Sequence, residues 1–570
     1  MSKLQWKLII APERLYSIQP LKNAITDLSG EQACDLCYTR KLKCNGQQPR
    51  CSNCIVYARE CTHTVQSRKS KPKTRCNGGN NTTRADEVQN LRARVQELET
   101  QLTQNPIKDN SHQSMGNYNN AGSSMILPPL QQALPVIEMF LNKLNSVLPL
   151  FHAGTFLRLV GECYSRTPRQ RDPVAWAAIN VVLALTCQQI SPPDGDGDIG
   201  ARADHTTEYL NRAQSVISDI MLSETRLLNI QTLVGMVMVL QSAHDPTQAL
   251  ILIAATIRLA HKMGLQNRIT SAHLDPEERR QHTHVFWLVY ILDKDLSLRA
   301  QQPSIQLDDD IDLDLPHSLP ADDEGDGDAP GVIATADGNA RMNYFLARVQ
   351  LANIEGGVYD CIFSTRAAKR SPEERLAAAN SVLEALEKWQ AEIPSEFGGA
   401  AVITSIANDS TSLGLFCVLH SISLRCMTLI NRAHAWNDEW VRGVHDIVRG
   451  GMGKLQLPIG WAALVHQARD FMTLFERAWS AEIWFRWIVS CPYVSSMMVL
   501  VTNNLRNLLH HRIQLDSQLV NKALQWLKAG AEETQREDVR ILRDICVDIV
   551  QRVERKRAAP ILGVCPRILL

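Results

Sequence analysis

The feature that most constrains this chain is a group of six cysteines within residues 34–61. They are Cys34, Cys37, Cys44, Cys51, Cys54 and Cys61, spaced as C-x2-C-x6-C and repeated once after six residues. Paired cysteines at such spacings are typical metal ligands, particularly where the other nine of the fifteen cysteines are scattered. The spacing therefore predicts a metal site over residues 34–61. Six unrelated thiols, a disulfide knot and a one-zinc site with spare cysteines are the alternatives.

Zinc chemistry decides how many ions this set of ligands can hold. Each structural Zn²⁺ takes four tetrahedral ligands, so six cysteines complete two ions only if two of the thiolates bridge both. The symmetry of the repeat makes the first cysteine of each half, Cys34 and Cys51, the expected bridge. Six thiolates and two Zn²⁺ carry a net charge near −2, which favours cations around the cluster.

The residues between these cysteines resemble the fungal Zn₂Cys₆ binuclear-cluster DNA-binding domain. The resemblance covers about 30 residues, including Ala33–Cys37, Arg40–Cys44 and Pro49–Cys54. It implies that Arg40 and Lys41 read guanines of a CGG-type triplet in the major groove, where guanine presents two acceptors. Lys43 and Arg50 are expected to bind phosphate. Tyr38 departs from the family pattern, which usually has a basic residue there.

Charge is balanced over the whole chain but not along it. The 570 residues contain 60 Lys or Arg and 60 Asp or Glu, while residues 34–75 contain ten basic and two acidic residues. This local excess favours a polyanionic partner, namely double-stranded DNA. Apolar runs such as Leu233–Leu240 are shorter than the roughly 18 residues of a membrane span, so no membrane association is expected. We predict a nuclear protein, with the basic residues 68–73 available for nuclear import or phosphate contact.

A short heptad pattern follows the cysteine group. Its apolar positions, spaced 3, 4, 3 and 4, are Val88, Leu91, Val95, Leu98 and Leu102. Valine at the first core position and leucine at the second favour a parallel two-stranded coiled coil. The pattern predicts a homodimer, and the alternative is an amphipathic helix that packs on its own protein.

The rest of the chain divides by composition. We assign residues 1–33 to a disordered leader, 62–86 to a basic linker, 87–102 to the coiled coil, 103–127 to a flexible linker and 556–570 to a tail. Residues 128–555 show a helical period and are predicted to form a large all-α domain, giving a mostly α protein. Within it, Gly264 is a helix C-cap signal. Asp308–Asp328 holds ten acidic residues and is predicted to be a solvated surface loop.

Residues 128–316 resemble the fungal-specific transcription factor domain, or middle homology region. The matching stretches are 148–156, 257–265 and 278–316. The resemblance implies regulation, sometimes effector sensing, contact with the transcription machinery and no agreed catalytic residues. Common catalytic motifs, among them G-x-S-x-G and H-E-x-x-H, are absent from the sequence, so no enzyme is predicted. The predicted function is a zinc-dependent regulator of RNA polymerase II transcription, with a secondary-metabolite gene cluster as a candidate target. The alternative is a zinc-containing adaptor that does not read DNA.

Overall fold

A computed structural model describes Cys54 and most of the chain from Met125 to Ala558. The described ranges after Cys54 are 125–189, 199–243, 245–316, 330–406, 409–434, 457, 460–479, 485–507, 510–534 and 537–558. The predicted leader, the basic linker, the coiled coil, residues 103–124 of the flexible linker and residues 559–570 of the tail lie outside these residues. Residues 556–558, which were assigned to the tail, belong instead to the helix that ends at Ala558.

The described part of the chain is mostly helical. Its α-helices, in chain order, are α1 Leu130–Val147, α2 Ala153–Ser165, α3 Pro173–Gln189, α4 Ile199–Gln214, α5 Ile217–Leu222, α6 Leu227–Leu240, α7 Thr247–Met263, α8 Pro276–Ala300, α9 Tyr344–Ile362, α10 Thr365–Lys369, α11 Pro372–Glu392, α12 Val402–Ser405, α13 Ser410–His434, α14 Trp461–Trp479, α15 Arg486–Arg506, α16 Ile513–Thr534 and α17 Glu537–Ala558.

Local sequence signals account for several helix ends. Asp275 caps α8 by accepting hydrogen bonds from the backbone N–H groups of Glu277 and Glu278, and Pro276 occupies the first turn. Ser371 and Glu374 form a reciprocal capping box at the start of α11. Gly264 ends α7 in the left-handed conformation, with φ 68°, which confirms the predicted C-cap.

The core forms because successive helices bury their apolar faces against one another. Buried apolar side chains from Leu127 to Val550 belong to one continuous cluster. Helix α3 is buried on nearly all sides and packs against α1, α4 and α6. Gly235 of α6 faces Val181 of α3 so closely that any larger residue would clash with it. Packing then continues from α6 through α7, α8, α9 and α13 to α14 and α15.

Within the part of the chain that the structure describes, two helices are long and apolar enough to cross a membrane by length and composition alone. They are the segments Ser410–Asn431 of α13 and Ile488–Arg506 of α15, and 94% of each is buried inside the protein. Both helices pack on α14. This burial is what the central helices of a large helical core show.

Two local features differ from the purely helical prediction. Strands β1 Val332–Ala334 and β2 Arg341–Asn343 form an antiparallel hairpin, in which Ile333 pairs with Met342. The hairpin is held at both sides, because the N–H of Gly331 donates to Ser146 O and that of Ala336 to Ser405 O. Leu210, Ala213, Ile217 and Ile220 recur at helical spacing, but they belong to two helices, α4 and α5, rather than to one. The prediction of an all-α domain was therefore wrong at this hairpin.

Candidate functional site

Most residues predicted to bind zinc, DNA or a second copy lie outside the described residues. These are the other five cysteines of the cluster, the basic residues Arg40, Lys41, Lys43 and Arg50, and the five heptad positions. Cys54 is described: it is helical and fully buried. Burial of a cysteine in a module of this size is compatible with a ligand position, since such a short segment has little apolar core of its own.

The donor set of residues 34–61 fits two zinc ions. Thiolates are the ligands that Zn²⁺ takes in closed structural sites, and six of them satisfy two tetrahedra when two are shared. Bound zinc would supply folding free energy to the segment rather than chemistry on a substrate. Among the described residues, no group of three or more His, Cys, Asp or Glu side chains is placed to hold a metal ion.

Among the described residues of the helical domain, three consecutive charged residues of α8 are buried together. Asp293, Lys294 and Asp295 are all at most 4% exposed. Because successive helix residues are about 100° apart, the three side chains leave α8 in different directions. Each therefore contacts a different part of the domain.

Asp293 fixes the segment that follows α8. Its carboxylate accepts hydrogen bonds from the backbone N–H of Ile305 at 3.0 Å and of Gln306 at 2.9 Å. Burial raises the pKa of Asp293, although these two hydrogen bonds oppose the shift. The carboxylate thus satisfies two backbone donors that the irregular chain would otherwise leave unpaired.

Lys294 holds the same segment from its other side. Its ammonium donates to Gln306 O at 3.0 Å and lies 3.0 Å from Asp308 Oδ1. The Tyr290 hydroxyl also donates to Asp308 Oδ1, at 2.7 Å. On α9, a side chain at Gly356 would come within 3.2 Å of Lys294 Nζ, so this glycine leaves room for the lysine.

Asp295 joins α8 to α9 and α13 through a buried ionic network. Arg425 of α13 contacts Asp295 and also donates to Glu355 of α9 at 2.6 Å. Arg299 Nη1 lies 3.5 Å from Asp295 Oδ2. The two carboxylates and Arg425 are at most 3% exposed. Arg348 of α9 is also buried and acts on both carboxylates, so three arginines surround two acids.

The pKa values of the two carboxyl groups in this network are shifted in opposite directions. Burial favours the neutral form of both, and it raises the pKa of Glu355 to about 7, reinforced by the charge of Asp295. For Asp295 the same burial is outweighed by Arg425, Arg299 and Arg348, which lower its pKa. One carboxylate is therefore firmly ionised while the other changes charge near neutral pH. Enclosed as it is, the network connects helices and has no access to a substrate.

The first residues of the acidic segment, 308–316, contact the neighbouring helices. Asp308 pairs with the buried Lys294, and Arg268 lies 3.5 Å from Asp312 and 3.2 Å from Asp314. The indole Nε1 of Trp287 donates to Asp314 O at 3.1 Å. Residues 308–316 thus contact the helices, while their five aspartates stay exposed to solvent, so the prediction of a solvated surface segment is confirmed for these residues. The remainder of the segment lies outside the described residues.

Two histidines in the matching stretches have structural roles. His152 caps α2, because its Nδ1 accepts from the backbone N–H of Thr155, and its Nε2 lies 2.5 Å from Glu277. His261 Nε2 is 2.6 Å from Gln306 Oε1, which adds a further contact to the segment after α8. Burial raises the pKa of the Cys361 thiol to about 11 and also raises that of Cys417, so both are inert thiols.

Comparison with known protein families gives two matches. The Fungal Zn(2)-Cys(6) binuclear cluster domain matches residues 32–71, which include all six clustered cysteines. The Fungal specific transcription factor domain matches residues 137–391, which run from α1 to α11. The two matched domains are those of the fungal Zn₂Cys₆ transcription factors. That family consists of transcription factors and not of enzymes.

Individual relatives of this zinc-cluster factor carry related names. It is similar to an ABC-transporter-regulating transcription factor of Aspergillus oryzae, 30% identical over 74% of this chain and 46% of the relative. A protein of the same name from Aspergillus fumigatus is 29% identical over the same shares. A Fusaridione A cluster transcription factor of Fusarium heterosporum is 26% identical over 47% of this chain and 48% of its own. The chain spans about half the length of these curated relatives.

The buried network of this zinc-cluster factor connects the matched region to the rest of the domain. Asp295 and Glu355 lie within residues 137–391, whereas Arg425 lies beyond them on α13. The sequence did not show which residues Arg425 pairs with, because its contacts with Asp295 and Glu355 span 130 and 70 residues. A charged residue inside the long apolar run of α13 was the one available signal, since such a residue needs a buried partner.

Proposed function

We propose that this protein is a zinc-dependent, sequence-specific regulator of RNA polymerase II transcription in the fungal nucleus. The observation that carries the proposal is the doubled C-x2-C-x6-C spacing, together with the excess of basic residues around it. A cluster of six thiolates offers no open coordination position for catalysis, and the surrounding cations suit a phosphate backbone.

We assign base reading and phosphate binding to different basic residues. Lys41 and Arg40 contact guanines of a CGG-type triplet, since cationic donors match the O6 and N7 acceptors in the major groove. Lys43 and Arg50 contact phosphates and contribute affinity without sequence information. The two zinc ions are held by Cys34, Cys37, Cys44, Cys51, Cys54 and Cys61, with Cys34 and Cys51 bridging.

Residues 87–102 form a short parallel coiled coil in this proposal and make the protein a homodimer. The heptad positions Val88, Leu91, Val95, Leu98 and Leu102 supply the seam. A pattern of little more than two heptads is marginal by itself. Two modules on one DNA molecule would nevertheless bind cooperatively, because binding of the first raises the effective concentration of the second.

The helical domain, which we place at 128–555, is the regulatory part of the molecule and the surface for the transcription machinery. The names of the relatives suggest two classes of target genes, ABC transporters and a biosynthetic cluster. The transporter-regulating relatives match over 74% of this chain and the cluster regulator over 47%. The longer match favours transporter genes as targets over the secondary-metabolite cluster predicted from layout.

A binding selection tests the DNA-reading function. Full-length, zinc-loaded protein is incubated with a random duplex library at near-physiological salt, and bound DNA is sequenced. We expect enrichment of paired CGG-type triplets, and the double variant Leu91→Arg with Leu98→Arg should enrich single triplets only. The matched control is Glu97→Gln with Glu99→Gln, which leaves the apolar seam intact.

Each outcome of the selection has a separate meaning. Single triplets from the unmodified protein would retain the DNA function and remove the dimer assignment. No enrichment by folded protein with bound zinc would contradict the proposal and favour a zinc module that binds protein. A steep fall in affinity with rising salt, which phosphate contacts require, is the second criterion.

A further inference from the structure

A cleft opens in the helical domain between α11, α13 and α14. Its volume is about 160 Å³, and one rim is the turn at Gly398 and Gly399. An engineered apolar cavity of about 150 Å³ holds one benzene molecule, so this cleft has room for a small organic molecule of roughly six to ten non-hydrogen atoms.

The walls of the cleft are largely apolar and aromatic. They are formed by Trp389 and Ile393 at the end of α11, Leu424 of α13 and Phe471 of α14. Trp389 is fixed in place, because its indole Nε1 donates to Ala347 O at 3.0 Å. Leu424 and Phe471 are each 2% exposed. Such walls favour a flat or branched hydrocarbon body.

The amides in the cleft are already paired with one another. Gln390 Nε2 donates to Ser423 Oγ at 2.8 Å, and Gln467 Nε2 donates to Gln390 Oε1 at 3.1 Å. Their mutual pairing leaves His420 and Asp470 as the polar groups that distinguish one ligand from another.

These two remaining groups are both acceptors. Burial lowers the pKa of His420 to about 4, so its ring is neutral, and Nε2 donates to Phe397 O at 2.9 Å. This tautomer leaves Nδ1 as an acceptor. Asp470 supplies a half-buried carboxylate, whose pKa is raised by burial and partly lowered again by His466, Arg512 and Arg469. Because the residues that line the cleft offer acceptors and include no Lys or Arg, the site selects a ligand that donates hydrogen bonds.

Gly399 brings the rim of the cleft directly against Asp470. Its φ is +51°, and a side chain there would lie 2.5 Å from Asp470 Oδ2. The glycine therefore lets the backbone approach the carboxylate without covering it. His466, in contrast, pairs with the same oxygen at 2.9 Å but is itself 62% exposed, so it can turn away from Asp470.

We propose that this cleft binds a small organic amine, with its ammonium group on Asp470 and its apolar body between Trp389 and Phe471. The ammonium takes the place of the His466 imidazole at the carboxylate. Aromatic faces near a cation add a further attraction. Binding itself does not depend on the proposed DNA-reading function, but its role as a regulatory effector rests on that function.

The test uses full-length, zinc-loaded protein and three probes of one size and different charge. They are phenethylamine, the neutral 2-phenylethanol and the anionic phenylacetate, and binding is followed by ligand-observed NMR and by thermal shift. We expect phenethylamine to bind most tightly and phenylacetate not to bind. Asp470→Asn should weaken phenethylamine at least tenfold, whereas His466→Gln should retain or strengthen binding because it removes the competing partner.

A second variant guards against an effect of folding. Ile393→Trp enlarges a half-buried wall residue and should block phenethylamine and 2-phenylethanol while the helical circular dichroism is unchanged. Equal binding of phenethylamine by Asp470→Asn and unmodified protein would overturn the proposal, as would equal binding of phenylacetate. Absence of phenethylamine binding at millimolar concentration would overturn it too. All these readouts are independent of DNA, so they distinguish failure of the cleft from failure of the transcription-factor function.

Discussion

Residues 34–61 and the helical domain illustrate two ways in which one chain can be stabilised. The cysteine segment is too short to bury a sufficient apolar core, and segments of this size usually depend on metal ions or disulfides. The helical domain has a continuous core from Leu127 to Val550, with ionic contacts buried inside it. The difference teaches that the two regions depend on separate sources of folding free energy. Damage to one should leave the other intact.

Loss of zinc should have the largest effect and the most local one. Structural zinc contributes about 10–16 kcal/mol of apparent binding free energy in small zinc modules, so Cys34→Ala should unfold residues 34–61 and abolish DNA binding. The thermal transition of the helical domain should be unchanged. Zinc content, DNA affinity and circular dichroism measure the three effects, with Cys187→Ala as control. A common melting transition for both regions would contradict their independent stabilisation.

Loss of one member of the buried ionic network should be the largest effect in the other region. Arg425→Leu leaves Asp295 and Glu355 buried without their shared cation, and removal of one partner of a buried pair costs about 3–5 kcal/mol. Chemical denaturation of the helical signal measures it, with the exposed Arg552→Leu as control. Zinc content should not change.

A triple variant tests whether the stability of this network depends on its charge balance or on the shape of its side chains. Replacing Arg425, Asp295 and Glu355 together by leucine should restore much of the loss, because no unpaired charge remains. If the triple variant is no more stable than Arg425→Leu alone, shape rather than charge balance governs this part of the core.

The same network should make the helical domain sensitive to pH. Glu355 has its pKa raised from 4.5 to about 7 in the folded state, so the folded protein holds a proton that the unfolded chain has released. Stability from this group is therefore present at low pH and is lost as pH rises between these values. Relative to Glu355→Gln, the unmodified protein should lose about 2–3 kcal/mol between roughly pH 5 and pH 8. Glu387→Gln, on the exposed side of α11, is the control, and parallel pH profiles would contradict the prediction.

Removal of a DNA contact should have the smallest effect on stability and should change only the recognition of DNA. Lys41→Ala should leave zinc content and both folds unchanged, and cost about 1–3 kcal/mol of preference for the CGG-type triplet. Lys43→Ala is the matched control: it should weaken all sequences alike and lower the salt dependence by about one phosphate contact. Unchanged triplet preference in Lys41→Ala would remove its base-reading role.

Sequence reasoning predicted helices well because apolar period and capping signals are local. Apolar residues recur at helical spacing over 248–263 and 462–479, and the helices found there are Thr247–Met263 and Trp461–Trp479. The end of α7 could be predicted, because a single glycine, Gly264, marks it. The break between α4 and α5 could not be predicted, because the apolar positions remain in phase across Ser215 and Val216.

Contacts between distant residues could not be predicted in this way. The pairing of Arg425 with Asp295 depends on how α8 and α13 pack, which no local pattern determines. The hairpin of six strand residues was missed because it is too short to show an alternating pattern. The cleft at Asp470 likewise joins residues that are separated by other helices. The zinc ligands were predicted from spacing alone, and that assignment stays a prediction.

The three consecutive charges of α8 have a consequence for how this helix can move. A rotation of one residue would turn Lys294 toward the arginines that now meet Asp295, and would take a carboxylate away from the backbone of Ile305 and Gln306. A slide of one turn would separate all three from their partners at once. The contacts of these three side chains therefore fix both the rotation and the axial position of helix α8. A movement of α8 would therefore also move the helices and the following segment that these side chains contact.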